Sequence, residues 1–173
     1  MPFKVGTCNS RGGDSKVSHI LETLEKYQLD ILYLQETHNI TGQNIKKIEQ
    51  NGKWKCHVSP GTQRGRGVLT VANPTTVMNI QQIARDQQGN LLVIEGEIEG
   101  AKRMFMNIYA PNELTNRRNL FEKCNDFHRT NRETYFGGDL ISNCIENIQL
   151  DSINKSQQSF MHKKSAIGKN YGS

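Results

Sequence analysis

The chain has 173 residues, a formal net charge of +5, 35% hydrophobic residues and a mean hydropathy of −0.67. That length suits one domain and not comfortably two. No run approaches the roughly 20 apolar residues of a membrane-spanning helix, and Met1–Val5 leads straight into a strand without the pattern of a signal peptide.

The positive charge is unevenly placed. From Ser152 onward stand Lys155, Lys163, Lys164 and Lys169 with no acid among them. Without those four, the 22 Lys and Arg exceed the 17 Asp and Glu by one. Basicity is therefore a poor reason to expect a nucleic-acid patch on the rest, and the tail reads as a solvated basic segment. The four cysteines, Cys8, Cys56, Cys124 and Cys144, form no Cys-x-x-Cys pair. Their spacing suits neither a zinc site nor a disulfide framework, so free thiols are expected. Cys8 and Cys56 lie in strand-like runs and are expected as small core residues.

Phe3–Asn9 alternates apolar and polar residues, as a half-buried strand does. Gly12-Gly13 breaks it, and Asp14 is a candidate N-cap for a helix carrying Val17, Ile20, Leu21, Leu24 and Tyr27 at helical spacing. Asp30–Glu36 is a short, nearly continuous apolar run, the mark of a buried strand. This strand–helix–strand unit is expected to be parallel. A short helix near Gln43–Gln50 comes next. Strands are then expected at Trp54–Val58, Gly67–Ala72, Met78–Arg85 and Leu91–Ile98, separated by Pro60-Gly61, Asn73-Pro74 and Gln88-Gly89-Asn90. Arg103–Tyr109 is a further strand, stopped by Pro111. Asn112 is expected to cap a helix whose apolar face is Leu120, Phe121, Cys124 and Phe127. Thr134-Tyr135-Phe136 leads into Gly137-Gly138-Asp139. Beyond about Leu150 the residues are Ser, Asn, Gln and Lys without periodicity, expected to be disordered. The pattern predicts a mixed α/β sheet protein.

Oxygen-bearing residues sit where strands end: Asn9 after the first, Glu36 after the second, and Asp139 after the last. Ligand crevices form at such ends in α/β sheets. Amide and carboxylate oxygens suit a hard cation such as Mg2+, which neutralises phosphoryl oxygens. Taken singly, each is ordinary: Glu36 as a solvated strand end, Asp139 and Asn9 as turn formers, Tyr109 as a core ring.

Taken together and in order, the motifs resemble the endonuclease/exonuclease/phosphatase superfamily. Asn9-Ser10-Arg11-Gly12 is similar to its opening Asn-x-Arg-Gly element, and Leu34-Gln35-Glu36-Thr37-His38 to its Leu-Gln-Glu-Thr-His motif. Arg64-Gly65-Arg66-Gly67-Val68 resembles its Arg-Gly-Val strand entry. Asn107-Ile108-Tyr109-Ala110-Pro111-Asn112 matches its Asn-Ile-Tyr-Ala-Pro-Asn motif, and Gly137-Gly138-Asp139 resembles the start of Gly-Gly-Asp-Phe-Asn. Leu150-Asp151 falls where a later Leu-Asp-Arg element is common. The style is that of the apurinic-endonuclease-like domain of LINE-type (non-LTR) retrotransposons and of exonuclease III-type enzymes. Inositol-phosphate phosphatases and sphingomyelinase-like lipid hydrolases resemble it less.

The resemblance implies a four-layer α/β sandwich over residues 1–151, two packed mixed sheets flanked by helices and incomplete at the C-terminus, followed by the polar tail 152–173. It implies Mg2+-dependent hydrolysis of DNA phosphodiester bonds, with Mn2+ as a possible substitute. Asn9, Glu36 and Asp139 would hold the metal. Tyr109 would contact the scissile phosphate, and Asp139 would orient the nucleophile or protonate the leaving oxygen. DNA is the implied partner, with no membrane, and the chain is expected as a monomer inside the cell, in the nucleus rather than the cytoplasm. Two departures qualify the match. Ile141 stands where the superfamily has Asn, and none of His19, His38, His57, His128 or His162 lies in a Ser-Asp-His segment. The expectation is an impaired hydrolase; the alternative is a non-catalytic nucleic-acid-binding remnant of a retroelement.

Overall fold

The computed structural model describes residues 2–12, 16–38, 40–61, 65–128 and 132–139. Its elements run β1 (Val5–Asn9), α1 (Val17–Lys26), β2 (Ile31–Gln35), α2 (Gly42–Glu49), β3 (Lys55–Ser59), β4 (Val68–Ala72), β5 (Met78–Arg85), β6 (Leu91–Ile98), β7 (Ala101–Tyr109), α3 (Leu114–His128) and β8 (Thr134–Asp139). Two four-stranded sheets form, ordered β1-β2-β4-β3 and β5-β6-β7-β8. In the first, β1 and β2 are parallel, as the strand–helix–strand reading expected, and the other pairs are antiparallel. In the second, β5, β6 and β7 are antiparallel and β8 lies parallel to β7.

Three apolar clusters bind these sheets into four layers. On the outer face of the first sheet, Ile20 and Leu24 of α1 and Ile48 of α2 pack on Leu32, Leu34, Leu69 and Val71. Between the sheets lie Ile31, Tyr33, Val68, Leu92, Ile94 and Phe105. On the outer face of the second sheet, Leu120 and Cys124 of α3 cover Leu91, Val93, Met104, Met106 and Ile108. Strand β2 is thus covered on both faces and every residue in it is buried, which explains its unbroken apolar sequence. The α/β sandwich implied by the motifs is the observed fold.

The Gly-Gly pair ahead of Asp139 has a steric cause. A Cβ on Gly137 would stand 1.9 Å from Cδ2 of Tyr33, whose ring lies against the β8 backbone. A Cβ on Gly138 (φ 148°) would stand 1.8 Å from the carbonyl oxygen of Ile108. Phe3, Phe105 and Tyr135 cluster nearby, with ring centroids 5.4–6.0 Å apart and Phe105 stacked on Tyr135, and the Tyr33 hydroxyl donates to the Tyr135 carbonyl at 3.1 Å.

Several local expectations are corrected. Cys8 is exposed rather than part of the core: it lies on the edge strand β1 and lines an open cleft beside α1. Cys56, by contrast, does pack against the outer core cluster of the first sheet, half-buried, and its thiol is pushed up to about 12 by burial and then by Glu49, against a smaller opposing effect of Lys55. Asn112 does not cap α3. The Glu113 carbonyl accepts the first helical bond, from the Arg117 amide at 3.0 Å, which puts the cap one residue later. Helix α1 has Lys16 at its N-cap without a side-chain cap; Asp14 lies outside the described residues, as do Arg64, Ile141, Cys144, Asp151, His162 and the whole of 140–173. Helix α2 is capped by Thr41, whose hydroxyl accepts from the Asn44 amide at 3.3 Å. No described helix is long and apolar enough to cross a membrane.

Gly137→Ala is expected to lower stability in urea denaturation by about 1–3 kcal/mol or more, the usual cost of overpacking. An unchanged midpoint would mean that the Tyr33 ring does not lie over β8.

Candidate metal and phosphate site

The register of β1 and β2 pairs Asn9 with Gln35, so Glu36 follows directly past the end of β2, next to Asn9. The register of β7 and β8 pairs Tyr109 with Asp139. These two strand-end pairs lie in different sheets. They meet because a buried polar tie crosses the interior. Gln35 Nε2 donates to Asn107 Oδ1 at 2.8 Å. Asn107 Nδ2 donates to the carbonyls of Leu69 at 2.9 Å and Leu34 at 3.2 Å. Thr7 Oγ1 donates to the remaining Gln35 acceptor, Oε1, at 3.3 Å. Asn107 is fully buried and Gln35 is 1% exposed. Residues two apart on a strand share a face, so the tie that holds Asn107 against the first sheet also aims Tyr109 at it.

Three of the four expected site residues converge. Asn9 Nδ2 donates to Glu36 Oε1 at 2.8 Å, and the Tyr109 hydroxyl donates to the same oxygen at 3.1 Å. The Arg11 amide donates to Asn9 Oδ1 at 3.1 Å. That bond fixes the amide's orientation, since a flip would turn its NH2 toward an N–H and its oxygen toward a carboxylate. Asp139 is placed by its backbone, beside Tyr109 in the β7–β8 register.

Glu36 is held in an unusual backbone conformation. Its φ is 52°, as is that of His38, while Arg11 has φ 46° and Arg66 has φ 63°. Left-handed conformations at non-glycine residues cost of order 1–2 kcal/mol and persist where surrounding bonds over-determine them. Here the bonds are plain. The Ser10 amide donates to the Gln35 carbonyl and the Gly12 amide to the Glu36 carbonyl, both at 2.8 Å. The Thr37 and His38 amides donate to the carbonyls of Gly67 and Arg66, at 3.1 and 2.9 Å. The Ser10 hydroxyl adds a bond to the Gln35 carbonyl at 2.9 Å.

The donor chemistry is one carboxylate, one amide oxygen and a phenol. Neither bond to Glu36 involves its Oε2. Among the described residues no group of three or more His, Cys, Asp or Glu gathers in one place. A set with oxygen donors alone is a poor one for zinc, whose protein sites are built mainly on Cys and His. It suits Mg2+ or Mn2+, which keep several waters and take one or two carboxylates. On the other side of Asn9 a cleft of ≈ 160 Å³ opens between α1 and the first sheet, lined by Cys8, Ser10, Lys16, His19 and Thr23 among others. Burial raises the Cys8 thiol pKa there, partly offset by Lys16.

The fold has well-matched counterparts among solved structures. The endonuclease domain of TRAS1, a telomere-specific non-LTR retrotransposon, superposes with a TM-score of 0.58 at 13% identity, over 80% of this chain and 58% of that one. The 3′ phosphatase NExo from Neisseria, bound to a product DNA hairpin, gives 0.57 at 16% identity, over 79% and 57%. A truncated Caenorhabditis elegans TDP2 gives 0.53 at 20% identity, over 75% and 57%. The chain shares its fold with these three proteins. It spans less than two thirds of the length of each of these three structures. No protein-family model matches it.

Sequence reasoning passed over Gln35 and Asn107 as anything more than motif letters. Their signal was present: Gln35 closes the apolar run of β2, and Asn107 interrupts the apolar stretch Met104–Ile108 of β7, and a buried amide has to find partners.

Asn9→Asp is expected to cost about 1–3 kcal/mol at pH 7, because two carboxylates would replace a charge-assisted hydrogen bond. Protonation relieves like-charge repulsion, so the loss should shrink as pH falls toward about 4. Urea denaturation at the two pH values reads this; equal stability of variant and wild type at pH 7 would separate Asn9 from Glu36.

Proposed function

We propose that this chain is a divalent-metal-dependent phosphodiesterase domain acting on DNA, with its activity impaired by Ile141. The observation that carries the reading is the convergence of Asn9 and Tyr109 on one oxygen of Glu36, at the ends of strands from two sheets. The DNA-bound state of the Neisseria phosphatase with the same fold favours DNA as the substrate class.

In this reading the Glu36 carboxylate and Asn9 Oδ1 hold Mg2+, or Mn2+ in its place. The ion supplies charge neutralisation at a phosphoryl oxygen. Asn9 Nδ2 fixes which way the carboxylate faces. The Tyr109 hydroxyl, already a donor at this point, turns toward a non-bridging phosphate oxygen when DNA is present. Asp139 serves as a further metal ligand, and orients the attacking water or protonates the leaving oxygen. Phosphoryl transfer asks mainly for positioning and electrostatic stabilisation, which is what these groups offer. Ile141 has no donor to offer the transition state. Loss of one such donor costs about 10²–10³ in rate.

Two measurements test this. Wild type should bind Mn2+, read by the loss of the free-ion electron paramagnetic resonance signal, and Glu36→Gln should abolish binding. Nicking of supercoiled DNA with Mg2+ should be slow, and Ile141→Asn should raise it by about 10²–10³. Fast wild-type nicking left unchanged by Ile141→Asn would contradict the impairment.

The lysine-only tail favours one second reading, a nucleic-acid-binding remnant without catalysis. It gains if neither wild type nor Ile141→Asn cleaves DNA while binding stays steeply salt-dependent and falls on deletion of 152–173.

A further inference from the structure

Asp86 lies outside the site just described, at the start of the turn between β5 and β6. Its Oδ1 collects three donors: the amides of Asn90 at 2.8 Å and Leu91 at 3.1 Å, and the hydroxyl of Ser59 at 3.2 Å. Ser59 is fully buried at the end of β3, so this is a second polar tie between the sheets. The Ser59 hydroxyl also reaches the Asp86 carbonyl at 2.9 Å, and the Asp86 amide donates to the Leu91 carbonyl at 3.1 Å.

The turn that Asp86 closes sends one carbonyl to each half of the site. The Asn90 carbonyl accepts from the Tyr109 amide at 2.8 Å. The Gly89 carbonyl accepts from the Gly67 amide at 3.0 Å, and the Gly67 carbonyl accepts from the Thr37 amide beside Glu36 at 3.1 Å. The contacts leave no slack. A Cβ on Gly89 would stand 2.7 Å from the Gly67 nitrogen and 2.8 Å from Gly61 Cα. Backbone therefore meets backbone all the way from the turn to the Glu36 loop.

We propose that Asp86 is a positioning residue that sets the separation of Glu36 and Tyr109 through the 86–91 turn. The inference rests on the metal-site reading for its functional consequence, and on the hydrogen bonds alone for its structural one. The carboxylate acts here as an acceptor. Asparagine offers the same Oδ1 and is expected to keep the turn closed, whereas alanine leaves the Asn90 and Leu91 amides without that oxygen.

The test compares the whole chain with Asp86→Ala, Asp86→Asn and Glu36→Gln. Mn2+ affinity is measured by electron paramagnetic resonance and amide exchange by NMR. Residues supporting a metal site from outside it typically contribute 10–100-fold in affinity. Asp86→Ala is expected to weaken Mn2+ binding by about tenfold or more, with Asp86→Asn close to wild type. In Asp86→Ala the Tyr109 and Gly67 amides are expected to exchange faster, while the Leu24 and Leu34 amides keep their protection. Unchanged Mn2+ affinity together with unchanged Tyr109 and Gly67 protection overturns the proposal. So does a loss of protection spread equally over Leu24 and Leu34, which would mark general destabilisation. If wild type binds no Mn2+ while Tyr109 and Gly67 alone lose protection in Asp86→Ala, the metal reading falls and the positioning role stands.

Discussion

Two sheets packed face to face through apolar side chains have no intrinsic reason to stop sliding at one register. Hydrophobic contact is non-directional, and Ile31, Val68, Leu92 and Ile94 would bury nearly as much area after a small slip. The hydrogen bond from Gln35 to Asn107 removes that freedom. A slip would strand a buried amide and the carbonyls of Leu34 and Leu69, at about 1–3 kcal/mol for each group left unpaired. The register that satisfies the amides is the one that brings Tyr109 to Glu36.

The candidate site sits at the end of that constraint. Glu36 follows Gln35 directly, and Tyr109 is the next residue on Asn107's face of β7. Two short stretches of sequence thus each carry a positioning amide and a functional group, one residue apart in the first and two in the second. The left-handed backbone at Glu36 and His38 belongs to the same economy. Strain at a strand end is tolerated because the amides of Ser10, Gly12, Thr37 and His38 and the carbonyls of Gln35 and Glu36 are committed to hydrogen bonds around it. The 86–91 turn adds a second tie through Ser59, further along the seam, so the two sheets are held at separate points by polar contacts.

Much of the fold was legible in the sequence. The bounds of β5 and β6 follow from their turn residues, and β2 from its unbroken apolar run. The parallel pairing of β1 with β2 follows from the helix between them. The motif order also placed Asn9, Glu36 and Tyr109 at strand ends that do converge. What local pattern could not supply was any partner across the interior. Nothing near Asp86 in sequence signals that its carboxylate reaches Ser59, 27 residues away, and Gln35 lies 72 residues from Asn107. The edge position of β1, which exposes Cys8, likewise depends on strand order, which periodicity does not encode. The one-residue shift of the α3 cap from Asn112 to Glu113 shows a milder limit: residue type proposes a cap but does not fix a helix end to a single residue.

A double-mutant cycle on Gln35→Leu and Asn107→Leu, followed by urea denaturation, reads the cross-sheet tie directly. A coupling of about 1–3 kcal/mol between the two substitutions is predicted, with the pair losing less than the two single losses combined. Additive losses, within about 0.5 kcal/mol, would mean that these amides do not meet, and the register of the two sheets would need another cause.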